Sequence, residues 1–278
     1  KFITRRNEII TSWENPQSDT IFADCLFDSI ETSQNKGGAI YVNKQINLII
    51  KKTKFSQCSC VREGGSLYIS GTNASLFCLD FIRSRTKTRA DNNGGNAYTS
   101  YDAELRMSDF VVSESWTDYW CGDSPHHIVR CSSQITRYNI SNSIDNGYGG
   151  ACGDFWTSKA DSLVSLANLV NNWGADSFVT FFGGIFYSER LNIANNTNSA
   201  FFLETSADYT EFRECCIFRG TTRPDRGSYT MIDCFANFEY TWAVTTETTI
   251  QSFFFNRDCR LEDRASSPSE ITPQSPVF

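Results

Sequence analysis

The sequence predicts an all-β solenoid of about nine stacked coils, each about 28 residues long. Three observations carry that prediction. A glycine pair followed by tyrosine recurs along the chain, a ladder of apolar residues runs at a near-constant interval, and the segments between are rich in Phe, Val, Ile, Thr and Tyr with little helical periodicity.

The glycine repeat reads Gly37-Gly38-Ala39-Ile40-Tyr41, Gly64-Gly65-Ser66-Leu67-Tyr68, Gly94-Gly95-Asn96-Ala97-Tyr98 and Gly183-Gly184-Ile185-Phe186-Tyr187. Another copy, Gly149-Gly150-Ala151-Cys152-Gly153, lacks the tyrosine. With 17 Gly and 11 Tyr in 278 residues, four such coincidences are hard to obtain by chance. Glycine pairs are expected at corners that need positive φ or close backbone approach.

The ladder consists of Phe27, Phe55, Phe81, Phe110, Ile140 and Leu169, at intervals of 28, 26, 29, 30 and 29 residues; Ile193 and Ile217 extend it. Ile46-Asn47-Leu48, Leu105-Arg106-Met107 and Leu191-Asn192-Ile193 alternate apolar with polar, as half-buried strands do. Residues 161–172 fit a helix face through Leu163, Leu166, Leu169 and Val170, but their place in the ladder argues for a strand. Neither a leucine-rich repeat nor a propeller fits. Three short strands per coil do, with the ladder residues superposed inside at about 4.8 Å per rung.

Residues 1–19 are expected to form an irregular first coil and residues 20–260 the solenoid. Residues 261–278, with Pro268, Pro273 and Pro276, read as a disordered Ser/Pro-rich linker. Lys1 opens the chain without a charged-then-apolar leader, so a signal peptide is expected to be absent or already removed, and the missing initiator Met suggests a fragment. The most apolar stretch, residues 179–187, is about half the length a membrane helix needs.

The formal charge of −7 and pI near 5.0 exclude a generic nucleic-acid binder, because such affinity comes from clustered cations that release counterions. No phosphate loop follows any glycine pair, no G-x-S-x-G surrounds a serine, and no cofactor is expected. Eleven cysteines leave at least one thiol unpaired, and no CxxC exists for a zinc ribbon or redox motif. Cys121, His126, His127 and Cys131 supply four ligands of the types zinc takes, but adjacent histidines lack the usual spacing. A loop disulfide or two unpaired loop cysteines explain the cluster better than zinc does.

Asn73-Ala74-Ser75, Asn139-Ile140-Ser141 and Asn195-Asn196-Thr197 are glycan acceptor sequons if the chain is secreted. Asp80, Asp109, Asn139 and Asn168 each precede a ladder residue, which would put Asp80 and Asp109 on adjacent rungs about 5 Å apart, the separation of a retaining glycosidase pair. The alternative is a solvated Asp/Asn column. Arg83, Arg85, Lys87 and Arg89 alternate with Ser and Thr, forming either a grip for acidic polysaccharide or a solvated loop. Trp116, Trp120 and Trp156 are candidates for sugar stacking or for packing.

The segments Gly37-Gly38-Ala39-Ile40-Tyr41, Phe55-Ser56-Gln57-Cys58, Gly64-Gly65-Ser66-Leu67-Tyr68 and Gly94-Gly95-Asn96-Ala97-Tyr98 resemble the right-handed parallel β-helix of pectin-lyase-like proteins. More narrowly, they resemble polymorphic outer-membrane-protein-like surface proteins of bacteria and of protists such as trichomonads. The resemblance covers about residues 20–190 and departs from the family where Cys, Ile or Ser replaces the Asn of F-x-x-N. It implies an extracellular, cell-surface, monomeric scaffold that binds a host-cell or extracellular glycan or protein, with a membrane anchor beyond this segment. A carbohydrate-active enzyme using Asp80 and Asp109 is the second reading. Arg85-Thr86-Lys87 resembles the R-x-K of polygalacturonases, whose Asp-Asp and Gly-His-Gly are missing here.

Overall fold

The computed structural model describes residues 3–87, 97–102, 104–117, 126–129, 131–145, 150–156, 162–174, 177–198, 203–219, 227 and 229–236. Among these there is no helix, and every named strand pairing is parallel: twenty strands form one bent sheet and seven form another. The molecule is a parallel β-solenoid. A representative coil runs through Leu67–Ser70 of the seven-stranded sheet, then the long strand Asn73–Ile82, then the short strand Arg85–Thr86. Ile40 pairs with Leu67 and His127 with Asp154, a rise of 27 residues per coil in each case.

Among the described residues five coils, from Ile40 to Gly174, carry all three strands separately, fewer than the nine expected. Outside them the coils are abbreviated. The Ile185–Glu189 strand joins the larger sheet, and Arg190 stands only 24 residues from its ladder partner Glu214. A period averaged over the chain counts these shorter coils as whole ones. Residues 1–19, expected to be irregular, carry the strands Ile3–Arg6 and Ile9–Ile10, which pair with Thr20–Ala23 and Leu26–Asp28. Residues 161–172 contain the strand Ser162–Val170, as the repeat argument predicted.

The long strands do not alternate strictly. Inward residues of Asn47–Ser56 are Leu48, Ile50, Thr53 and Phe55, so the interval slips from two to three at the middle. The cause is one residue with positive φ: Lys52 here, and Cys78, Asp109, Arg137 and Leu166 at the same place in the following coils. A left-handed residue bends the strand and leaves two successive side chains outside. A second corner, at Gln57, Arg83, Glu114, Asn142 and Asn171, turns the chain into the short strand.

The glycine corners act as expected where they are described. Gly37 and Gly64 have φ near +64° and +63°, and a Cβ on Gly38 would lie 1.8 Å from the carbonyl oxygen of Gly65 in the next coil. The tyrosines that follow are not all equivalent. Tyr41 pairs with Tyr68 and their rings stack at 5.4 Å, but Tyr98 pairs with Leu67 and is buried in the core. Tyr187 belongs to the other sheet, where it pairs with Leu163 and Glu211.

Inside, Phe27, Phe55 and Phe81 superpose in register, with ring centroids 5.0 and 4.6 Å apart and planes 10° from parallel. The next rung differs from the expected ladder: Phe81 pairs with Val112, and Phe110 pairs with Leu79. Phe110 occupies the inward slot two residues earlier, and its ring reaches across to Phe81 at 4.9 Å. The column then continues through Ile140, Leu169, Ile193 and Ile217.

Beside this apolar column, just past the second corner, runs a buried column of Cys58, Ser84, Ser115, Ser143, Asn172 and Asn196. Its amides satisfy the backbone. Asn172 Oδ1 accepts from the Ser143 N–H at 2.9 Å, and Asn196 Oδ1 accepts from the Asn172 N–H at 2.8 Å. Their Nδ2 groups donate to the carbonyls of Ile140 and Leu169 at 3.1 and 2.7 Å. These asparagines occupy the F-x-x-N position, counted from Leu169 and Ile193.

Candidate functional site

The register separates the two aspartates that sequence spacing had brought together. Asp80 pairs with Lys54 on one side and Val111 on the other, so the outward column reads Lys54, Asp80, Val111, Asn139, Asn168, Asn192. Asp109 is instead the left-handed corner residue of its strand. The misplacement follows from taking Phe110 rather than Val112 as the ladder residue. Desolvation pushes the Asp80 carboxyl up, partly opposed by Lys54, whereas the Arg137 guanidinium holds Asp109 down. Arg137 donates from Nε to Oδ1 at 2.5 Å and from Nη2 to Oδ2 at 2.7 Å, engaging both oxygens of Asp109. A carboxylate so held is a poor nucleophile.

Of the four cations expected on one side, the three described ones are dispersed. Arg83 sits at the second corner and binds Glu114 of the next coil at 2.7 Å. Lys87 pairs with Glu31 of an earlier coil and draws its carboxyl below the ordinary range. Arg85 lies on the short strand, and Arg89 is outside the described residues.

Of the sequons, Asn73 is exposed at the start of a long strand. Asn139 lies within one, and its Oδ1 accepts from Asn168 Nδ2 at 2.9 Å, while Asn168 Oδ1 accepts from Asn192 at 3.2 Å. Only the backbone of Asn195 is described, at a register shift in the Asn192–Asn198 strand. Cys121 lies outside the described residues. His126 and His127 open the His126–Val129 strand, which pairs with Tyr98–Tyr101. Cys131, expected in a loop, is buried with its Sγ 3.4 Å from Ser100 Oγ. Among the described residues no group of three His, Cys, Asp or Glu is placed to hold a metal.

What the fold does assemble is a strip on the short-strand face. Arg85 pairs with Trp116, Trp116 with Ile144, and Ile144 with Trp173, on four consecutive rungs. Each follows a buried residue, Ser84, Ser115, Ser143 or Asn172, so alternation turns each of the four outward. Ile144 and Trp173 are 44% and 40% exposed, and Trp116 is half-buried. Trp116 and Trp173 are two rungs apart, about 10 Å. Two indoles and an isoleucine in line form a flat apolar track, with Arg85 on the adjoining rung.

Sequence reading found Trp116 but missed Ile144 and Trp173. The signal was available: all four residues stand four places after a core-column residue, namely Phe81, Val112, Ile140 and Leu169. Trp120 lies outside the described residues, and of Trp156 only the backbone is described. No helix among the described residues is long and apolar enough to cross a membrane. Comparison of the chain with protein-family models, curated proteins and solved structures finds no match.

Proposed function

We propose that this chain is a non-catalytic, extracellular binding scaffold of the pectin-lyase-like kind, which holds an extended glycan along its short-strand face. The observation that carries the reading is the outward track of half-buried Trp116 and exposed Ile144 and Trp173, with Arg85 at its end. Outward-facing indoles in a row can stack against the apolar faces of sugar rings, and their two-rung separation suits a linear chain lying along the solenoid axis. Stacked coils make the track rigid, so little order has to be gained on binding. A disulfide at Cys216 and the exposed sequon at Asn73 agree with a secreted, surface-borne protein.

The second reading, a carbohydrate-active enzyme, is favoured by the opposite displacement of the Asp80 and Asp109 carboxyls, which a division into acid and base requires. The register, which does not set Asp80 and Asp109 opposite one another, and the engagement of both Asp109 oxygens by Arg137 weigh against it. One experiment separates the two. The protein is passed over immobilised neutral, uronic and sulfated polysaccharides, and new reducing ends are measured in parallel. The scaffold reading expects retention on at least one polymer, weakened tenfold or more by Trp173→Ala at unchanged Tm, with no product. Product formation lost in Asp80→Asn overturns it in favour of the enzyme; retention on none of the polymers removes the glycan.

A further inference from the structure

The last described coils bring two thiols together. Arg213 pairs with Ile232 and Cys216 with Phe235, so Cys215 and Cys234 face one another between those register pairs. They are 1% and 7% exposed, and neither is in a disulfide. The Cys215 N–H donates to Cys234 Sγ at 3.3 Å, and the two thiols are near enough for each to shift the titration of the other. In-register neighbours of a parallel sheet have Cα atoms about 4.8 Å apart, inside the range of about 4.4–6.8 Å that a disulfide spans. The other described free cysteines are placed differently. Cys78 lies in register with Lys52 and Asp109, and Cys131 approaches Ser100. Cys58 and Cys60 share one coil, and burial pushes both thiols up to about 12.

We propose that Cys215 and Cys234 form a redox pair that closes into an inter-coil disulfide, with a small-molecule disulfide such as oxidised glutathione as the oxidant. The Cys234 thiolate attacks one sulfur of the small disulfide, whose S–S bond breaks and releases one thiol. Cys215, deprotonated in turn, attacks the Cys234 sulfur of the mixed disulfide and releases the second thiol. Two protein thiols are oxidised to one disulfide, and one small disulfide is reduced to two thiols. Cys234 reacts first because it is the more exposed, and because the hydrogen bond from Cys215 draws its thiol below the ordinary value while burial drives Cys215 above it. The bond ties the Tyr209–Arg213 and Cys216–Arg219 strands to Thr230–Ile232 and Phe235–Ala236, fastening the last described coil to the one before.

The test uses the whole chain in glutathione buffers of rising oxidised fraction, followed by alkylation of free thiols, proteolysis and non-reducing mass spectrometry. A Cys215–Cys234 linked peptide is expected, accompanied by a rise of several degrees in Tm that dithiothreitol reverses. Cys215→Ser should stop at a glutathione adduct on Cys234. The linkage should persist in Cys216→Ser, which separates it from any bridge to the adjacent cysteine. Full alkylation of Cys215 and Cys234 in the wild-type chain at every ratio overturns the proposal without relying on any variant. So does a bridge from Cys234 to Cys216.

Discussion

The coils around Phe27, Phe55 and Phe81 and those around Ile140, Leu169 and Ile193 share the left-handed corner that precedes the ladder residue but are held by different forces. In the first group, near-parallel rings stack in the core and the column past the second corner is Ile30, Cys58 and Ser84. In the second, the ladder residues are aliphatic, and Ser143, Asn172 and Asn196 bridge buried backbone groups from coil to coil. Dispersion and apolar burial tolerate small offsets, whereas the amide ladder requires each donor to meet its acceptor. The difference teaches that the first corner, at Asp24, Lys52 and Cys78 in one group and at Arg137, Leu166 and Arg190 in the other, defines this solenoid more than any one kind of core residue.

The largest effect should come from the ring stack. Phe55→Ala removes a fully buried ring that touches Phe27 and Phe81, and is expected to cost about 3–5 kcal/mol in denaturant unfolding. A loss under about 1 kcal/mol would mean that the neighbouring rings collapse into the space and that the stack is not what holds these coils. Next, Asn172→Ala leaves the Ser143 N–H without its acceptor and the Ile140 carbonyl without the amide donor. About 2–3 kcal/mol should be lost. Asn172→Asp keeps the acceptor but removes the donor and buries a charge, so it should cost at least as much. If both Asn172 variants are neutral, water serves the backbone as well as the amide does, and the contrast between the two groups of coils disappears.

The architecture was legible in the sequence because stacking superposes equivalent residues, and a constant interval between large apolar side chains survives many local changes. The register was less so. Each long strand offers inward slots spaced two, three, two, and either of the last two can hold the largest residue. Phe81 fills the fourth slot and Phe110 the third, so choosing the largest side chain shifted one coil by two places and brought Asp109 beside Asp80. The slip itself has no strong sequence mark, because its corner is occupied by Lys52, Cys78, Asp109, Arg137 and Leu166 instead of glycine. The track at Trp116, Ile144 and Trp173 was hidden for a related reason. It comes from three residues in three coils, and only the corrected register lines them up.

The smaller effects sit where the two groups of coils meet. Asp109 and Arg137 join the coil of Phe110 to that of Tyr138 across an exposed corner, with side chains 39% and 50% exposed. Because solvent and salt screen such a pair, a double-mutant cycle with Asp109→Asn and Arg137→Gln should give a coupling of about 0.2–1 kcal/mol, shrinking as salt is raised. The folded-state pKa of Asp109 is depressed, so its contribution is present above the unfolded carboxylate range and is lost as pH falls through the folded value. Asp80, one coil earlier and on the other side of the corner, has the opposite sign. Its folded pKa is raised by burial, so the protonated form is favoured on folding, and stability is lost as pH rises through the folded value. Asp80→Asn should therefore raise Tm slightly at pH 7 and have no effect well below pH 4, about the carboxylate's ordinary value. In the outward column the substitution sets a neutral amide between Lys54 and Val111, one rung short of the run that Asn139, Asn168 and Asn192 form. A fall in Tm at pH 7 would instead mean that the attraction of Lys54 outweighs desolvation, making Asp80 a fastener of the ring-stacked coils in the way Asp109 fastens the junction.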